Sequence, residues 1–263
     1  MTLWCGMLEF LRSRLWRRTE PARHCPVCGH DVNSFLPIPA SLEETARRYG
    51  YPFFGKGETV NTAEYSCPRC GASDRERLYA LYLNETAASP HFQHRSRLLH
   101  FAPEPALRDY ILRLDCFAYR TADLSADGVD DHIDITDMAT YGDSSFDTFI
   151  CSHVLEHVAN DRLALRELWR ILKPGGWGIL MAPIMVHLEH TLEDPAATTE
   201  AERWRLFGQG DHVRLYAKQD FLYRITSAGF DVEQFGAEHF GADTFTRYGI
   251  TPGSILYIVR KLR

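Results

Sequence analysis

The sequence has 263 residues, of which 45% are hydrophobic and 24% are charged. This size and balance suit one medium-sized globular domain with an appendage, and they exclude a fibrous or disordered chain. The formal net charge of −6 provides no overall positive field for binding a polyanion, although a local basic patch stays compatible with it. No apolar run approaches the roughly 20 residues that span a bilayer, so a soluble, cytoplasmic protein is expected.

Residues 1–20 carry apolar side chains at near-helical spacing, with arginines concentrated in the second half of the segment. The spacing predicts an amphipathic helix. A signal peptide would place its positive charge before the apolar run and a small-residue cleavage site after it, and neither is present. Two placements stay open for this helix: packing on the body of the protein, or peripheral contact with a membrane surface or a partner.

Residues 21–72 contain two Cys-x-x-Cys pairs, and each pair is followed by a glycine. Two intervening residues let a tight turn direct both sulfurs at one cation, and four thiolates make a closed structural zinc site. The pattern therefore predicts a zinc-ribbon module whose ligands are Cys25, Cys28, Cys67 and Cys70. Unmetallated turns or a redox pair are the alternatives. The loop between the pairs includes a short helical pattern over Leu42–Tyr49.

Residues 73–96 are predicted to form a linking helix, because the capping residue Ser73 precedes an apolar stripe at helical spacing. Arg69, Arg75 and Arg77 could bind phosphates, but acidic neighbours favour a solvated helix face for them.

Residues 97–263 alternate short apolar strands with helices, which predicts a parallel sheet covered on both sides. The predicted strands are Leu98–Phe101, Ala118–Ala122, Asp131–Ile133, Asp147–Ser152, Trp177–Ala182, Phe230–Phe235 and Ile255–Arg260. The predicted helices are Ala106–Leu114, Asp161–Leu172 and Lys218–Ala228. Ligands of such sheets bind at the carboxyl ends of the strands.

Two segments in the middle of this region, Phe146–Val158 and Leu165–Gly176, resemble the central signature of class I S-adenosylmethionine-dependent methyltransferases of the "type 11" domain kind. The Leu-Lys-Pro-Gly-Gly turn is the most diagnostic part, and the resemblance covers residues 97–263. It implies an α/β fold: a Rossmann-like, seven-stranded class I methyltransferase sheet, here joined to the small N-terminal zinc-ribbon module. It also implies S-adenosylmethionine as the methyl donor.

The loop after the first of these strands departs from the family, which has an acidic residue followed by Gly-x-Gly. This chain has instead His100, Phe101, Ala102, Pro103 and Glu104. The sequence is similar along nearly its whole length to a subgroup that joins a cysteine ribbon to a Leu-His-Phe-Ala-Pro-Glu loop. We expect this loop to bind the cofactor, with Glu104 either replacing the missing acidic partner of the cofactor's ammonium group or capping the next helix.

Further cofactor-binding residues are expected at the ends of the next strands. Asp123, with Leu124 beside it, lies nineteen positions past Glu104, where an acidic residue accepts hydrogen bonds from ribose hydroxyls. The resemblance places Asp134 at the adenine edge and Ile135 on the ring. Turn or helix capping is the alternative for both aspartates. Ser152 is the last residue of the fourth strand and His153 follows it, and both are also assigned to the cofactor site.

Methyl transfer from a sulfonium needs alignment and a dry site more than it needs a metal. A base assists if the acceptor is a hydroxyl or a protonated amine. His212, in a long polar insertion over 184–216, and His153 are the candidate bases, although a histidine that braces its loop is the alternative for His212. His157 is expected to make structural hydrogen bonds.

The leading functional hypothesis is methylation of a small-molecule, sugar or glycoconjugate acceptor, because the acidic balance fits an uncharged acceptor of modest size. An RNA methyltransferase that grips RNA through the zinc module is the first alternative, and salt-dependent RNA retention would favour it. A catalytically inactive binding scaffold is the second. An NAD dehydrogenase is excluded by the missing Gly-x-Gly-x-x-Gly pattern.

Overall fold

The computed structural model describes residues 23–90, 92 and 95–262. The amphipathic helix predicted for residues 1–20 therefore lies outside the described residues. The description begins with a short antiparallel hairpin of β1 (Arg23–Cys25) and β2 (His30–Val32), followed by helix α1 (Ala40–Arg48) and the long helix α2 (Asp74–Ala88).

Seven strands form the central sheet. They are β3 (Ser96–Phe101), β4 (Phe117–Asp123), β5 (Asp131–His132), β6 (Phe146–Ser152), β7 (Leu172–Met181), β10 (Asp231–Phe235) and β11 (Leu256–Arg260). Their order across the sheet is β10-β11-β7-β6-β3-β4-β5, and β11 runs antiparallel to both of its neighbours. The order reverses at β3, which makes the carboxyl ends of β3 and β6 the switch point where ligands bind in such sheets.

The remaining elements connect or extend the sheet. They are α3 (Pro105–Leu114), a 3₁₀ turn (Leu155–His157), α4 (Asp161–Ile171), a two-stranded ribbon of β8 (Leu192–Glu193) and β9 (Arg214–Leu215), α5 (Glu200–Phe207), α6 (Lys218–Ser227), α7 (Ala237–Phe240) and α8 (Ala242–Arg247). The ribbon and α5 all belong to the insertion over 184–216, which is therefore an ordered subdomain above the strand ends.

The predicted fold class is confirmed: a Rossmann-like seven-stranded sheet carries a small N-terminal four-cysteine module. The central strand β6 was recognisable because it is buried on both faces, with six of its seven residues buried. The apolar stripe of α4 covers the sheet through Leu165 and Leu168, whose exposure is at most 1%. No helix among the residues that the structure describes is long and apolar enough to cross a membrane.

The Leu-Lys-Pro-Gly-Gly segment differs from the turn that the sequence predicts. Helix α4 ends at Ile171, and β7 begins at once with Leu172 and includes Pro174. The pairing of β6 with β7 shifts register between Phe146 and Thr148 to absorb the extra residues. A Cβ atom on Gly176 would lie 2.7 Å from the carbonyl oxygen of Asp147, so the glycine is needed for the close approach of two strands.

The arginines of the linking helix also differ from the prediction of a solvated face. Arg77 has no exposed surface, and the Arg75 side chain is only 21% exposed. The reason is that α2 lies between the cysteine module and the sheet, so that it is buried around most of its circumference. Ser73 caps α2 in the predicted position and forms a capping box with Glu76.

Candidate functional site

A cavity of about 700 Å³ lies at the carboxyl ends of β3, β4 and β6. We call it the strand-end cavity. Its volume is within the range of about 300–1,000 Å³ found for small-molecule and cofactor sites. Seven of the predicted cofactor-binding residues line it, namely Phe101, Ala102, Asp123, Leu124, Asp134, Ile135 and His153. Pro103 lines a second depression that adjoins it at Ala102 and Asp123.

Two of these residues have a backbone conformation that is rare outside glycine. Ala102 has φ +46° and His153 has φ +54°. Each amide is fixed by the neighbouring strand, because Ala102 donates to the carbonyl of Ala122 and His153 to that of Met181, both at 2.9 Å. Strained residues held by their surroundings cluster at functional sites. Ala102 lies at a loop position where the resembled family has a glycine, which adopts a positive φ without strain.

Both aspartates of the strand-end cavity form the local turns that capping would require. Asp123 Oδ1 accepts from the amides of Ser125 and Ala126 at 2.8 and 2.7 Å. Asp134 Oδ1 accepts from the amide and the hydroxyl of Thr136 at 2.8 and 2.7 Å. These bonds use Oδ1 in each case, so Oδ2 stays outside the turn, and both side chains line the cavity.

Behind the loop lies a buried polar network centred on Glu104. Its carboxylate accepts from Ser152 Oγ at 3.0 Å and lies 3.1 Å from His100 Nε2. Arg75 Nε is 3.8 Å away. His100 is completely buried and also contacts the hydroxyl of Tyr119 at 2.9 Å. His100 therefore supports the loop from below and does not reach the cavity surface, contrary to its prediction as a cofactor contact.

Glu104 occupies the N-cap position of α3, yet its side chain makes no capping hydrogen bond. The capping alternative is therefore wrong. Burial by itself would raise the pKa of Glu104, but its hydrogen bond to His100 and the charges of His100 and Arg75 lower the pKa to about 2. Glu104 is thus an ionised carboxylate beneath the loop at the switch point.

A second cavity of about 310 Å³ lies between the cysteine module and the insertion. We call it the aromatic cavity. Tyr51 and Phe53, from the loop between the cysteine pairs, face Trp204 and Phe207 of α5 across it. His153 lines both this cavity and the strand-end cavity. The two cavities are therefore neighbours with one histidine in their common wall.

Three histidines surround a buried glutamate at this common wall. His153 Nδ1 is 3.2 Å from Glu156 Oε1, although neither carboxylate oxygen of Glu156 accepts a well-aligned hydrogen bond from the described residues. His157 contacts Asp211 at 3.2 Å and packs edge-on against His212 with ring centroids 4.7 Å apart. Burial lowers the pKa of His212 to about 4, so this histidine is neutral at pH 7.

The four cysteines of the two pairs come together as predicted. The Sγ atoms of Cys25 and Cys70 are 3.8 Å apart, and those of Cys28 and Cys67 are 3.9 Å apart. Ligands at the Zn–S distance of about 2.3 Å on a tetrahedron are separated by about 3.8 Å. The donor set therefore fits one tetrahedral zinc ion.

Sequence reasoning overlooked the roles of Arg75, Glu58 and Glu156 near these cavities. Glu58 is buried and accepts from Lys218 at 2.8 Å and from Tyr257 at 2.6 Å, which docks the inter-cysteine loop on the sheet. No local pattern reveals such a distant pair. Glu156 did have a signal, since the His-x-x-Glu-His spacing over residues 153–157 places three potential metal ligands on one turn.

The chain was compared with protein families, with curated proteins and with solved structures. The family model described as "Methyltransferase domain" matches residues 112–180. None of the curated proteins matches the chain. A chain from the complex between the Haloferax volcanii Trm112 methyltransferase activator and a candidate methyltransferase is 17% identical, with a TM-score of 0.47, and the match covers 72% of this chain and 94% of that one. An S-adenosylmethionine-dependent methyltransferase from Archaeoglobus fulgidus is 13% identical, with a TM-score of 0.45, over 70% of this chain and 92% of that one.

The matched domain includes β4 to most of β7, and it ends within the strand that follows the Pro-Gly-Gly segment. Together with the strand order and the cavity at the switch point, it identifies the class of the protein. The chain is an S-adenosylmethionine-dependent methyltransferase.

Proposed function

We propose that this enzyme binds S-adenosylmethionine in the strand-end cavity and methylates a small-molecule, sugar or glycoconjugate acceptor in the aromatic cavity. The observation that carries the proposal is the position of His153 in the walls of both cavities. A methyl group can pass by in-line displacement only if donor and acceptor meet at a shared boundary. The rings of Tyr51, Phe53 and Trp204 provide apolar faces on which the C–H face of a sugar, or a flat acceptor, packs.

His153 is the better supported of the two candidate bases. It lies between the cavities, and the carboxylate of Glu156 is 3.2 Å from its Nδ1, which is the arrangement of a base oriented by an acid. In the proposed reaction the sulfonium S–CH₃ bond breaks while the acceptor–CH₃ bond forms. The proton of the acceptor passes to His153, and S-adenosylhomocysteine leaves.

We expect Asp123→Asn to weaken S-adenosylmethionine binding by about 1–3 kcal/mol, because the ribose hydroxyls lose a charged acceptor. Asparagine keeps the Oδ1 atom that accepts from Ser125 and Ala126, so the turn and the fold persist. Titration calorimetry measures the affinity, and Asp127→Asn on the same exposed loop is the matched control. Equal affinities of parent and Asp123→Asn would show that the ribose lies elsewhere.

We expect Glu104→Gln to weaken S-adenosylmethionine binding by about 10-fold, because the cofactor's ammonium group loses a nearby negative charge. Asp109→Asn, an exposed change on α3, should bind the cofactor normally. The melting temperature is measured alongside the affinity. A variant that binds the cofactor normally and only melts earlier would restrict Glu104 to supporting the loop through His100 and Ser152.

The acceptor class is tested by incubating the enzyme with methyl-labelled S-adenosylmethionine and separate small-molecule, glycan and RNA fractions of a host lysate. We expect the label in the small-molecule or glycan fraction. Label in the RNA fraction alone would instead establish the RNA methyltransferase. No transfer to any fraction, with intact cofactor binding, would contradict this acceptor class. No cofactor binding at all would favour the inactive scaffold.

We also propose that Cys25, Cys28, Cys67 and Cys70 hold a structural zinc ion, which the Sγ separations of 3.8 and 3.9 Å support. The domain boundaries that we propose are a zinc-ribbon module over 21–72, a linking segment over 73–96 that contains helix α2 (Asp74–Ala88), and a methyltransferase domain over 97–263. In this arrangement the zinc has an indirect role. It fixes the ends of the loop that carries Tyr51 and Phe53 to the aromatic cavity.

A further inference from the structure

Two buried side chains at the wall between the cavities have polar atoms without partners. Glu156 has no exposed surface and His212 is 3% exposed. Both ring nitrogens of His212 and Glu156 Oε2 have no hydrogen-bond partner among the residues that the structure describes, and Glu156 Oε1 lies 3.2 Å from His153 Nδ1 without a well-aligned hydrogen bond. Buried polar groups in folded proteins are nearly always hydrogen-bonded, and a buried carboxylate is normally paired or bound to a metal. Three atoms without a partner, beside a fourth with only a poorly aligned contact, therefore point to a ligand.

The surrounding chain holds these side chains in position. The amide of Val213, next to His212, donates to the backbone carbonyl of Glu156 at 2.8 Å. The guanidinium of Arg214 donates to the carbonyls of Leu155 at 2.7 Å and Ala159 at 3.0 Å. The 3₁₀ turn and the insertion are thus clamped together on both sides of the cluster, so the cluster is a built feature of the fold.

We propose that Glu156, His157 and His212 bind a divalent transition-metal ion, at a site separate from the four cysteines. One ligand atom from each residue lies within 4.8 Å of the other two. Small side-chain rotations bring such a set to the roughly 2.0–2.2 Å at which Zn²⁺ binds imidazole and carboxylate. Two histidines and one carboxylate form the donor set of catalytic zinc and of non-haem iron(II).

Three protein ligands leave at least one coordination position open, as catalytic metal sites do. His212 lines the aromatic cavity and His157 lines the strand-end cavity. The open position would therefore face the region where the acceptor meets the cofactor. If the proposed function holds, an acceptor hydroxyl bound there loses its proton to His153 more readily. Its oxygen then takes the methyl group as the sulfonium S–CH₃ bond breaks.

The test is a titration of Co²⁺ into the full-length, zinc-loaded protein, followed by visible absorption. We expect one equivalent to bind with the ligand-field bands of nitrogen and oxygen ligands and without thiolate charge transfer. Thiolate charge transfer would mean that Co²⁺ had only replaced zinc at the cysteines. That outcome, or the absence of any saturable spectrum, would overturn the proposal.

Matched variants assign the ligands. We expect His157→Ala to weaken Co²⁺ binding by about 10-fold or more, and its side chain is 35% exposed, so the variant should fold. Glu156→Gln should have a larger effect and is used if its circular dichroism is unchanged. His190→Ala removes an exposed histidine outside the cluster and should bind Co²⁺ like the parent. Equal affinity in His157→Ala and the parent would contradict the assignment.

Binding of S-adenosylmethionine to the same samples before Co²⁺ is added, measured by calorimetry, separates this proposal from the proposed function. Co²⁺ binding without methyl transfer would retain the metal site and reject the acceptor hypothesis. Methyl transfer without Co²⁺ binding would reject the metal site and retain the acceptor hypothesis.

Discussion

The double substitution Cys67→Ser and Cys70→Ser should abolish zinc binding at the cysteine cluster and unfold the N-terminal module. Structural zinc contributes an apparent free energy of about 10–16 kcal/mol in small zinc modules, and serine hydroxyls do not replace thiolates as ligands. The hairpin of β1 and β2 has three residues in each strand, which is too little structure to persist alone. Because the inter-cysteine loop also lines the aromatic cavity, we expect methyl transfer to fall with the zinc content.

Elemental analysis and circular dichroism measure these effects on the purified variant. Cys116→Ser is the control, because Cys116 is buried outside the cluster and its loss should leave one zinc ion per chain. Full zinc occupancy in the double variant would rule out the four-cysteine site. Binding of S-adenosylmethionine should be weakened far less than methyl transfer, since the strand-end cavity belongs to the sheet.

Arg77→Lys should destabilise the protein by about 3–5 kcal/mol, although the charge is retained. All five guanidinium donor positions are used, and each contacts a backbone carbonyl. Nε donates to Tyr248 at 2.6 Å, and the two terminal nitrogens donate to Glu64, Tyr65, Ala72 and Gly249 at 2.5 to 3.2 Å. The group also lies 3.8 Å from the ring of Phe35. An ammonium group has three donors and no planar face, so several buried carbonyls would lose their partners.

Urea denaturation of parent and variant gives the difference in the free energy of unfolding. The control is Arg47→Lys on the exposed face of α1, where the guanidinium forms an ion pair with Glu43 at 3.0 Å. This change should alter stability by less than about 0.5 kcal/mol. A similarly small effect of Arg77→Lys would mean that the carbonyls find other donors.

The strands and helices of the sheet region could be predicted from sequence because each one has a local pattern of its own. The apolar run of β6 and the amphipathic stripe of α4 each indicate burial without reference to distant residues. Asp123 and Asp134 could be located for the same reason, since both follow recognisable strands. Strand ends converge wherever the strands are parallel, so residues just after them share one cavity.

The aromatic cavity and the buried arginine could not be predicted in this way. Tyr51 and Trp204 line the same cavity, and Glu58 helps to dock the loop of Tyr51 against Lys218 and Tyr257. No sequence periodicity indicates contacts between residues so far apart in the chain. The local sequence around Arg77 does not distinguish it from an arginine on the exposed face of a helix. Its burial follows from the packing of the module on the sheet, which a helix pattern does not contain.

The link between Glu58 and Tyr257 also constrains the order of events during synthesis. These residues are 199 positions apart, and Asn61 and Arg77 make further bonds to Gly249, 188 and 172 positions away. Contacts of such long range form late, because the entropy of closing the intervening loop is lost before they contribute. The cysteine cluster is complete once Cys70 has left the ribosome, whereas the aromatic cavity closes only after β11 has been made. A nascent chain would therefore complete its four-cysteine cluster long before the aromatic cavity takes shape.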